Sequence, residues 1–281
     1  MRPFGKAYKF LEIENGEQTS LYVELQAQRI EDKKLLTAYK TNRKFCENLP
    51  QFPLLQKEIQ ILGSLSHRYI QDYVDTIFDG EIMYILLGFQ KYPFFYIYRN
   101  CQYLYEDNKN KDQLNAKIIF YHLFQAIDYI HEKGIAHRDI CPESIFFDAH
   151  FNIKLGHFFH AIYLDKDERC PPGGGCINFQ APETFSEEKY NGKKADIWSA
   201  GVLLLSAMIR NNYFTGDTAD EIIQNIKTQP IQYPNYFSEQ LINLLNLMIQ
   251  RDPNERKSIH EILRCEWFQS ILENNENAEN V

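Results

Sequence analysis

The pattern of apolar and polar positions changes character about a third of the way along the chain. Up to about residue 90 it reads as strand-rich with one helix. Alternation in Ser20-Leu21-Tyr22-Val23-Glu24-Leu25 predicts a half-buried strand, and Asp79-Gly80 between two apolar runs predicts a hairpin. Between them Leu55, Ile59, Leu62 and Leu65 recur at helical spacing behind Pro53, a residue suited to the first turn of a helix. Beyond residue 90 the period becomes helical. Ile119, Leu123, Ala126, Ile127 and Ile130 line one face of a long helix that Lys133-Gly134 can close with a left-handed cap. Ala195 to Ile209 is apolar nearly all round and predicts a buried central helix. Ser258-Ile259-His260-Glu261 forms a capping box before a last short helix, and the polar stretch Glu273 to Val281 is expected to fray. Pro171-Pro172-Gly173-Gly174-Gly175 reads as a loop. A sheet-rich part followed by a helical part suggests two lobes with a cleft between them, the usual home of a ligand site.

Composition narrows the function classes. The 281 residues are 44% apolar and 24% charged, which suits a folded globular chain of one bilobal unit or two small domains. A net charge of −8 argues against nucleic acid as partner, because phosphate binders concentrate Lys and Arg. Arg2, Lys6, Lys9, Glu12, Glu14 and Glu17 interrupt any signal-peptide core, and no run reaches the length of a membrane span. The six cysteines show no CxxC spacing, which fits reduced thiols and a cytoplasmic protein.

The chemistry-bearing residues come in a fixed order. His137-Arg138-Asp139-Ile140-Cys141-Pro142-Glu143-Ser144 is followed by Ala181-Pro182-Glu183, by Asp196-Ile197-Trp198-Ser199-Ala200-Gly201, and by Arg251-Asp252-Pro253 with Arg256. This order resembles the protein kinase superfamily. Lys189-Tyr190-Asn191-Gly192-Lys193-Lys194 and Glu266-Trp267-Phe268 are similar to the calcium/calmodulin-regulated and AMP-activated branch of Ser/Thr kinases. The resemblance covers residues 8–268 and implies an α+β bilobal fold, with an N-lobe over 8–89, a C-lobe over 90–268 and a frayed tail over 269–281. In that frame Thr37-Ala38-Tyr39-Lys40 matches the strand with the phosphate-binding lysine, and Glu58 matches its partner on the helix. Lys40 and Glu58 are then either a nucleotide-binding pair or a structural salt bridge. Leu62, Tyr73, Phe158 and His137 match an internal apolar spine. Asp196 matches the anchor of the catalytic loop, and Glu183 with Arg256 a buried ion pair.

Against the family pattern the metal and phosphate positions have changed. Kinases hold Mg²⁺ with an Asn five positions after the catalytic Asp and with the Asp of a DFG motif. Here Ser144 stands at the first position, while His157 and Phe159 stand at the Asp and Gly of the second, eighteen positions after Asp139. A hydroxyl and an imidazole are poor ligands for a hard cation. Gly16 survives in the phosphate loop, but Gln18 and Leu21 replace its other glycines while Val23 is kept. Cys141 and Cys176 occupy the positions of the phosphate-contacting Lys and of the Thr that bonds to it. His157 to Glu183 contains no Ser or Thr, so Arg138 has no phosphorylated hydroxyl there except at Tyr163. Val23 and Ala38 fit the roof of an adenine site, Leu87-Gly88-Phe89 its hinge and Phe146 an enlarged floor, which leaves nucleotide binding open.

Asp139 remains as candidate general base, worth about 10²–10⁴ in rate where enzymes need about 10⁶ or more. The expectation is a pseudokinase acting as a scaffold or allosteric regulator through protein partners. No cofactor is required in that role: ATP stays open and Mg²⁺ is disfavoured. The surface around Asn211 to Thr228 is a docking candidate by family analogy. The alternatives are a divergent Ser/Thr kinase that transfers the γ-phosphate of ATP, with Asp165, Asp167 or Glu143 as substitute ligands, and a purely structural component of an assembly.

Overall fold

The computed structural model describes residues 7–11, 22–90, 92–94 and 111–273. Gly16, Gln18, Ser20 and Leu21 at the start of the strand expected over 20–25, Cys101 and the tail 274–281 lie outside that description. Two compact units emerge, one running to Tyr92 and including Phe146–Phe159, the other formed by the remainder. The first unit ends three residues after the expected lobe boundary at residue 89, and 146–159 joins it.

The first unit is built on a five-stranded antiparallel sheet in the order β1 (Tyr8–Leu11), β2 (Val23–Arg29), β3 (Leu35–Asn42), β5 (Ile82–Gly88) and β4 (Tyr73–Asp79). After β3 comes a single helical turn, α1 (Arg43–Cys46), and then α2 (Phe52–Ser64) with Pro53 in its first turn. The buried residues of α2 are Phe52, Leu55, Glu58, Ile61 and Leu62. Leu65, expected on the helical stripe, is instead the extended C-cap. The β4–β5 hairpin turns at Gly80, where the sequence placed it.

Along β3 successive side chains alternate between the two faces. Leu36 and Ala38 join Tyr8, Ala27, Ile77, Tyr84 and Leu86 in an apolar cluster on one face. Thr37, Tyr39 and Thr41 are buried on the other. After the two-residue strand β6 (Tyr92–Pro93) and the second unit's first elements, the chain returns as β8 (Ile145–Phe147) and β9 (Ile153–Leu155). Leu155 is tied to the loop after α2 by Gln71 N donating to its carbonyl and by its own N–H donating to the Tyr69 carbonyl, both 2.8 Å. Those bonds are why 146–159 belongs with the sheet.

The second unit is helical. In α3 (Lys111–Glu132) the buried face carries Phe120, Leu123, Phe124, Ala126, Ile127 and Ile130. Gly134 ends it at φ 69°, a left-handed conformation that suits a residue without Cβ. Short strands follow: β7 (Ile135–Ala136) pairs with β10 (Ile162–Tyr163), and β11 (Arg169–Cys170) with β12 (Tyr190–Asn191). The central helix α4 (Gly192–Ile209) starts three residues before the expected Ala195, because the Asn191 side chain accepts from Lys194 N and caps it. Almost all of α4 is buried, with Trp198 stacked on Phe214. Helices α5 (Ala219–Thr228), α6 (Glu239–Met248) and α7 (Ile259–Ile262) complete the unit, and the Ser258–Glu261 capping box is present. The expected tail over 269–281 begins as a helical stretch over 269–273 with Ile271 buried. No helix among the described residues is long and apolar enough to cross a membrane.

Candidate functional site

In the second unit, the loop between β7 and β8 is held by buried acceptors. The Asp196 carboxylate, fully buried at the start of α4, accepts from the backbone N–H of His137 and of Arg138, both at 2.8 Å, and lies 2.9 Å from His131 Nε2. Arg138 sits at φ 65°, which swings its side chain toward the glycine-rich loop. Its guanidinium donates to the carbonyls of Pro171 (2.9 Å) and Gly173, and its Nε donates to the Tyr190 hydroxyl at 2.9 Å. Backbone carbonyls thus occupy the donors that the family resemblance reserved for a phosphate. Glu183 and Arg256 form a two-pronged pair at 2.6 and 2.8 Å, with the buried guanidinium also over the Trp198 ring.

One oxygen of Asp139 is engaged within the second unit. Its Oδ1 accepts from Cys176 N at 2.9 Å and from the Cys141 thiol at 3.5 Å. Close approach of Gly175, at φ 84°, makes this possible: a Cβ there would lie 2.9 Å from Asp139 Oδ1. Ser144 is fully buried in the turn Pro142–Ser144, where its hydroxyl donates to the Cys141 carbonyl at 2.9 Å and accepts from Cys141 N at 3.2 Å. Both hydrogen-bonding directions of that hydroxyl are therefore spent on the local backbone. The nearby Cys176 and burial push the Cys141 thiol up, while the nearby Cys141 pulls the Cys176 thiol down against its burial.

The first unit corrects one sequence expectation. Lys40 and Glu58 do not pair, because alternation along β3 sends Lys40 to the solvent side of the apolar cluster's face and Tyr39 to the opposite face. Tyr39 is 2% exposed, and burial, with the neighbouring Tyr22, Glu58 and Glu24, pushes its phenol well up. Glu58 is buried with no ion-pair partner among the described residues. Burial raises its carboxyl to about 7, opposed only by a hydrogen bond from the Phe158 backbone. Val23 sits opposite Lys40 in the register and is 38% exposed, and Ala38 packs into the apolar cluster.

Leu87 is buried opposite Thr37, and Gln90 N donates to the Thr37 hydroxyl at 3.1 Å. Phe89 and Phe146 line a cavity of about 370 Å³ together with Gln71, Gln90 and Lys154, but Val23, Ala38, Lys40 and Glu58 do not. The residues that the sequence grouped around a nucleotide are therefore divided. Phe146 packs edge-on against His157, ring centroids 5.0 Å apart, and a Cβ on Gly156 would meet Phe146 at 2.9 Å. Phe158 and Leu62 are buried in this unit, Tyr73 and Phe159 half-buried, and Tyr73 donates to the Thr76 hydroxyl at 3.0 Å. His137 is buried in the second unit, where its Nδ1 faces Asp139 N at 3.3 Å.

These residues do not fit Mg²⁺. Ser144 is committed to backbone, His157 is an imidazole against a phenyl ring, and no group of three or more His, Cys, Asp or Glu among the described residues is arranged for a metal. Of the substitute ligands considered from sequence, Asp165 caps its own turn by accepting from Asp167 N and Arg169 N at 3.1 Å. Sequence reasoning missed Tyr39, because both faces of β3 are buried and the usual contrast between a wet and a dry face is absent there.

Comparison with known proteins accords with this architecture. The protein kinase domain family matches residues 23–268. The carbon catabolite-derepressing protein kinase of Candida glabrata is 28% identical over 218 residues, which are 78% of this chain and 34% of that protein. Its namesake in Saccharomyces cerevisiae is 28% identical over the same length, 78% of this chain and 33% of that protein. Serine/threonine protein kinase OSK3 of Oryza sativa subsp. indica is 26% identical over 231 residues, 82% of this chain and 44% of that protein. The chain thus spans between a third and under half of the length of these relatives. A small antiparallel-sheet lobe, a helical lobe and a family match over most of the length establish that this chain belongs to the protein kinase domain family, among relatives that are Ser/Thr kinases.

Proposed function

We propose that this kinase domain works without phosphoryl transfer, as a scaffold or allosteric partner of other proteins. The observation that carries this reading is Glu58, buried in α2 without a lysine and facing the side of β3 that presents Tyr39. Phosphoryl transfer is mostly positioning and charge neutralisation, so a phosphate needs the cation that this strand turns outward. The other positions agree. The Ser144 hydroxyl and one Asp139 oxygen are engaged inside the second unit, and His157 stands where the family has an anionic metal ligand. The surface offered to a partner includes α5, of which only Ile226 is fully buried.

A second reading, ATP-dependent Ser/Thr phosphorylation, is favoured by the names of the relatives, all protein kinases. Phosphate transfer from ATP with Mg²⁺ or Mn²⁺ to itself and to a generic substrate separates the two. The non-catalytic reading expects no transfer above an Asp139→Asn control, and no metal-dependent thermal shift with ATP, where binding at a hundredfold excess over Kd would add about 2.7 kcal/mol. Transfer abolished by Asp139→Asn establishes the second reading instead.

A further inference from the structure

We propose that the first unit carries a site for a small aromatic carboxylate, formed by the Gly88–Gln90 segment, the turn between β8 and β9 and the chain entering β4. Every wall residue of the cavity of about 370 Å³ belongs to this unit. That volume falls at the lower end of the range for small-molecule sites, about 300–1,000 Å³. Val23, Ala38, Lys40 and Glu58 take no part in the walls, whereas Lys34, Asp72, Lys154 and the turn residues Asp148–His150 do, so the site is not the one considered for a nucleotide. The walls run from exposed Lys34, Ala149 and His150 to buried Phe146 and Gln71. The cavity thus opens to solvent at one end and closes on apolar surface at the other.

The closed end pairs aromatic surface with an unmet donor. Phe89 and Phe146 supply the rings, and Gly156 makes room behind them: a Cβ there would lie 2.9 Å from Phe146 and 2.6 Å from Gln71 Oε1. Gln71 is 3% exposed, and its amide nitrogen is buried without a hydrogen-bond partner. A buried donor left unpaired costs stability, and an acceptor bound beside it removes that cost. Aromatic surface continues past the walls, where Tyr92 stacks on Phe151 at 5.4 Å with 38% and 62% of the two residues exposed. Phe151 directly follows the wall residue His150 and holds φ 61°, a left-handed conformation that is strained for a residue with a bulky side chain.

The charged walls favour an anion. Asp148 is turned into its own hairpin: Oδ1 accepts from His150 N at 2.8 Å and from Asn152 N at 2.9 Å, and Oδ2 from the Asn152 amide at 3.1 Å. Lys154 Nζ lies 3.5 Å from the Asp72 carboxylate and donates to the Ile70 carbonyl at 3.3 Å. An ammonium has three donors, so Lys154, whose side chain is 15% exposed, keeps one for a ligand. Lys34 adds a second cation at the exposed end. Lys154 and Gln71 are held side by side by the backbone, since Gln71 N donates to the Leu155 carbonyl at 2.8 Å. A flat ring against Phe89 and Phe146, with its carboxylate on Lys154 and the Gln71 amide, meets these groups together. The site goes beyond the scaffold reading and holds whether or not the domain transfers phosphate.

The test titrates the full chain with 2-naphthoate by isothermal titration calorimetry, with 2-naphthamide and ATP in parallel. Saturable binding of 2-naphthoate is expected, tighter than that of the carboxamide and not displaced by ATP. Ala149→Trp, at an exposed wall position, should abolish it by blocking the open end. Lys154→Met should weaken 2-naphthoate about tenfold and leave 2-naphthamide within about threefold, the loss of one charge-assisted hydrogen bond. Gln71→Leu should weaken both ligands, and thermal melting checks that each variant folds. No saturation at millimolar 2-naphthoate, binding that survives Ala149→Trp, displacement by ATP, equal affinity for the carboxamide, or equal losses of both ligands in Lys154→Met overturns the proposal.

Discussion

Two buried charges in this molecule live under opposite conditions. Arg256 in the helical unit meets both oxygens of Glu183, the Gln250 and Lys194 carbonyls and the face of Trp198. Glu58 in the sheet unit meets one backbone N–H and no cation among the described residues. The difference teaches that burial alone does not fix the charge state of a group; its partners do. The charge that holds helices together has partners on every side, whereas the one with no cation is left to burial and shifts toward its neutral form instead.

The largest expected effect is on the satisfied side. Arg256→Met leaves Glu183 without its two-pronged partner and should lower unfolding free energy by about 3–5 kcal/mol, read from urea denaturation. A loss below about 1 kcal/mol would mean that the pair is decoration and that the contrast with Glu58 is empty.

The unsatisfied side predicts the opposite sign. The unfolded Glu58 releases its proton near 4.5 and the folded one near 7, so the native state holds a proton that the unfolded chain has lost across that window. This group's contribution is therefore fully present below 4.5 and is lost as pH rises through 7, about 3 kcal/mol in all. Glu58→Gln should match the parent at pH 4.5 and exceed it by up to about 3 kcal/mol at pH 8. In a Tyr39→Lys background, where a cation faces the carboxylate, that gain should shrink by more than about 1 kcal/mol, a coupling read as a double-mutant cycle. If Glu58→Gln is destabilising at pH 8, Glu58 has a cationic partner in solution and the two regions are alike.

How much of this was legible in the chain depends on which signal carried it. The long helix ending at Gly134, the capping box at Ser258 and the hairpin at Gly80 rest on periodicity and turn residues, both local, and the sequence placed them. Helix ends were less legible: Asn191 starts α4 early through a side-chain cap, and Leu65 drops off α2. The grouping of 146–159 with the sheet was illegible, since it depends on Leu155 meeting the Tyr69 to Gln71 backbone far away in sequence. That Ser144 and His157 stand at the family's metal-ligand positions could be read as letters, but the commitment of the Ser144 hydroxyl to Cys141 backbone is a fact of the turn's geometry. The β3 register defeated sequence reading altogether. Thr37-Ala38-Tyr39-Lys40 looks like the family motif, yet in a strand buried on both faces one residue of offset exchanges the inward and outward sets without leaving a polar run exposed to betray it.

The smallest effect is therefore the most diagnostic. Lys40 is exposed on β3 and lies in no ion pair among the described residues. Lys40→Ala should change stability by no more than about 0.5 kcal/mol, the usual range for a surface substitution, and should leave the pH profile set by Glu58 unmoved. Substitution of a lysine that held Glu58 would instead strand the carboxylate, cost several kcal/mol, and steepen the fall in stability between pH 4.5 and 7. Denaturation of this one variant at pH 5 and pH 8 thus distinguishes a strand that turns its lysine to water from one that turns it to the helix, and with it a family member that has surrendered the phosphate-binding cation from one that keeps it.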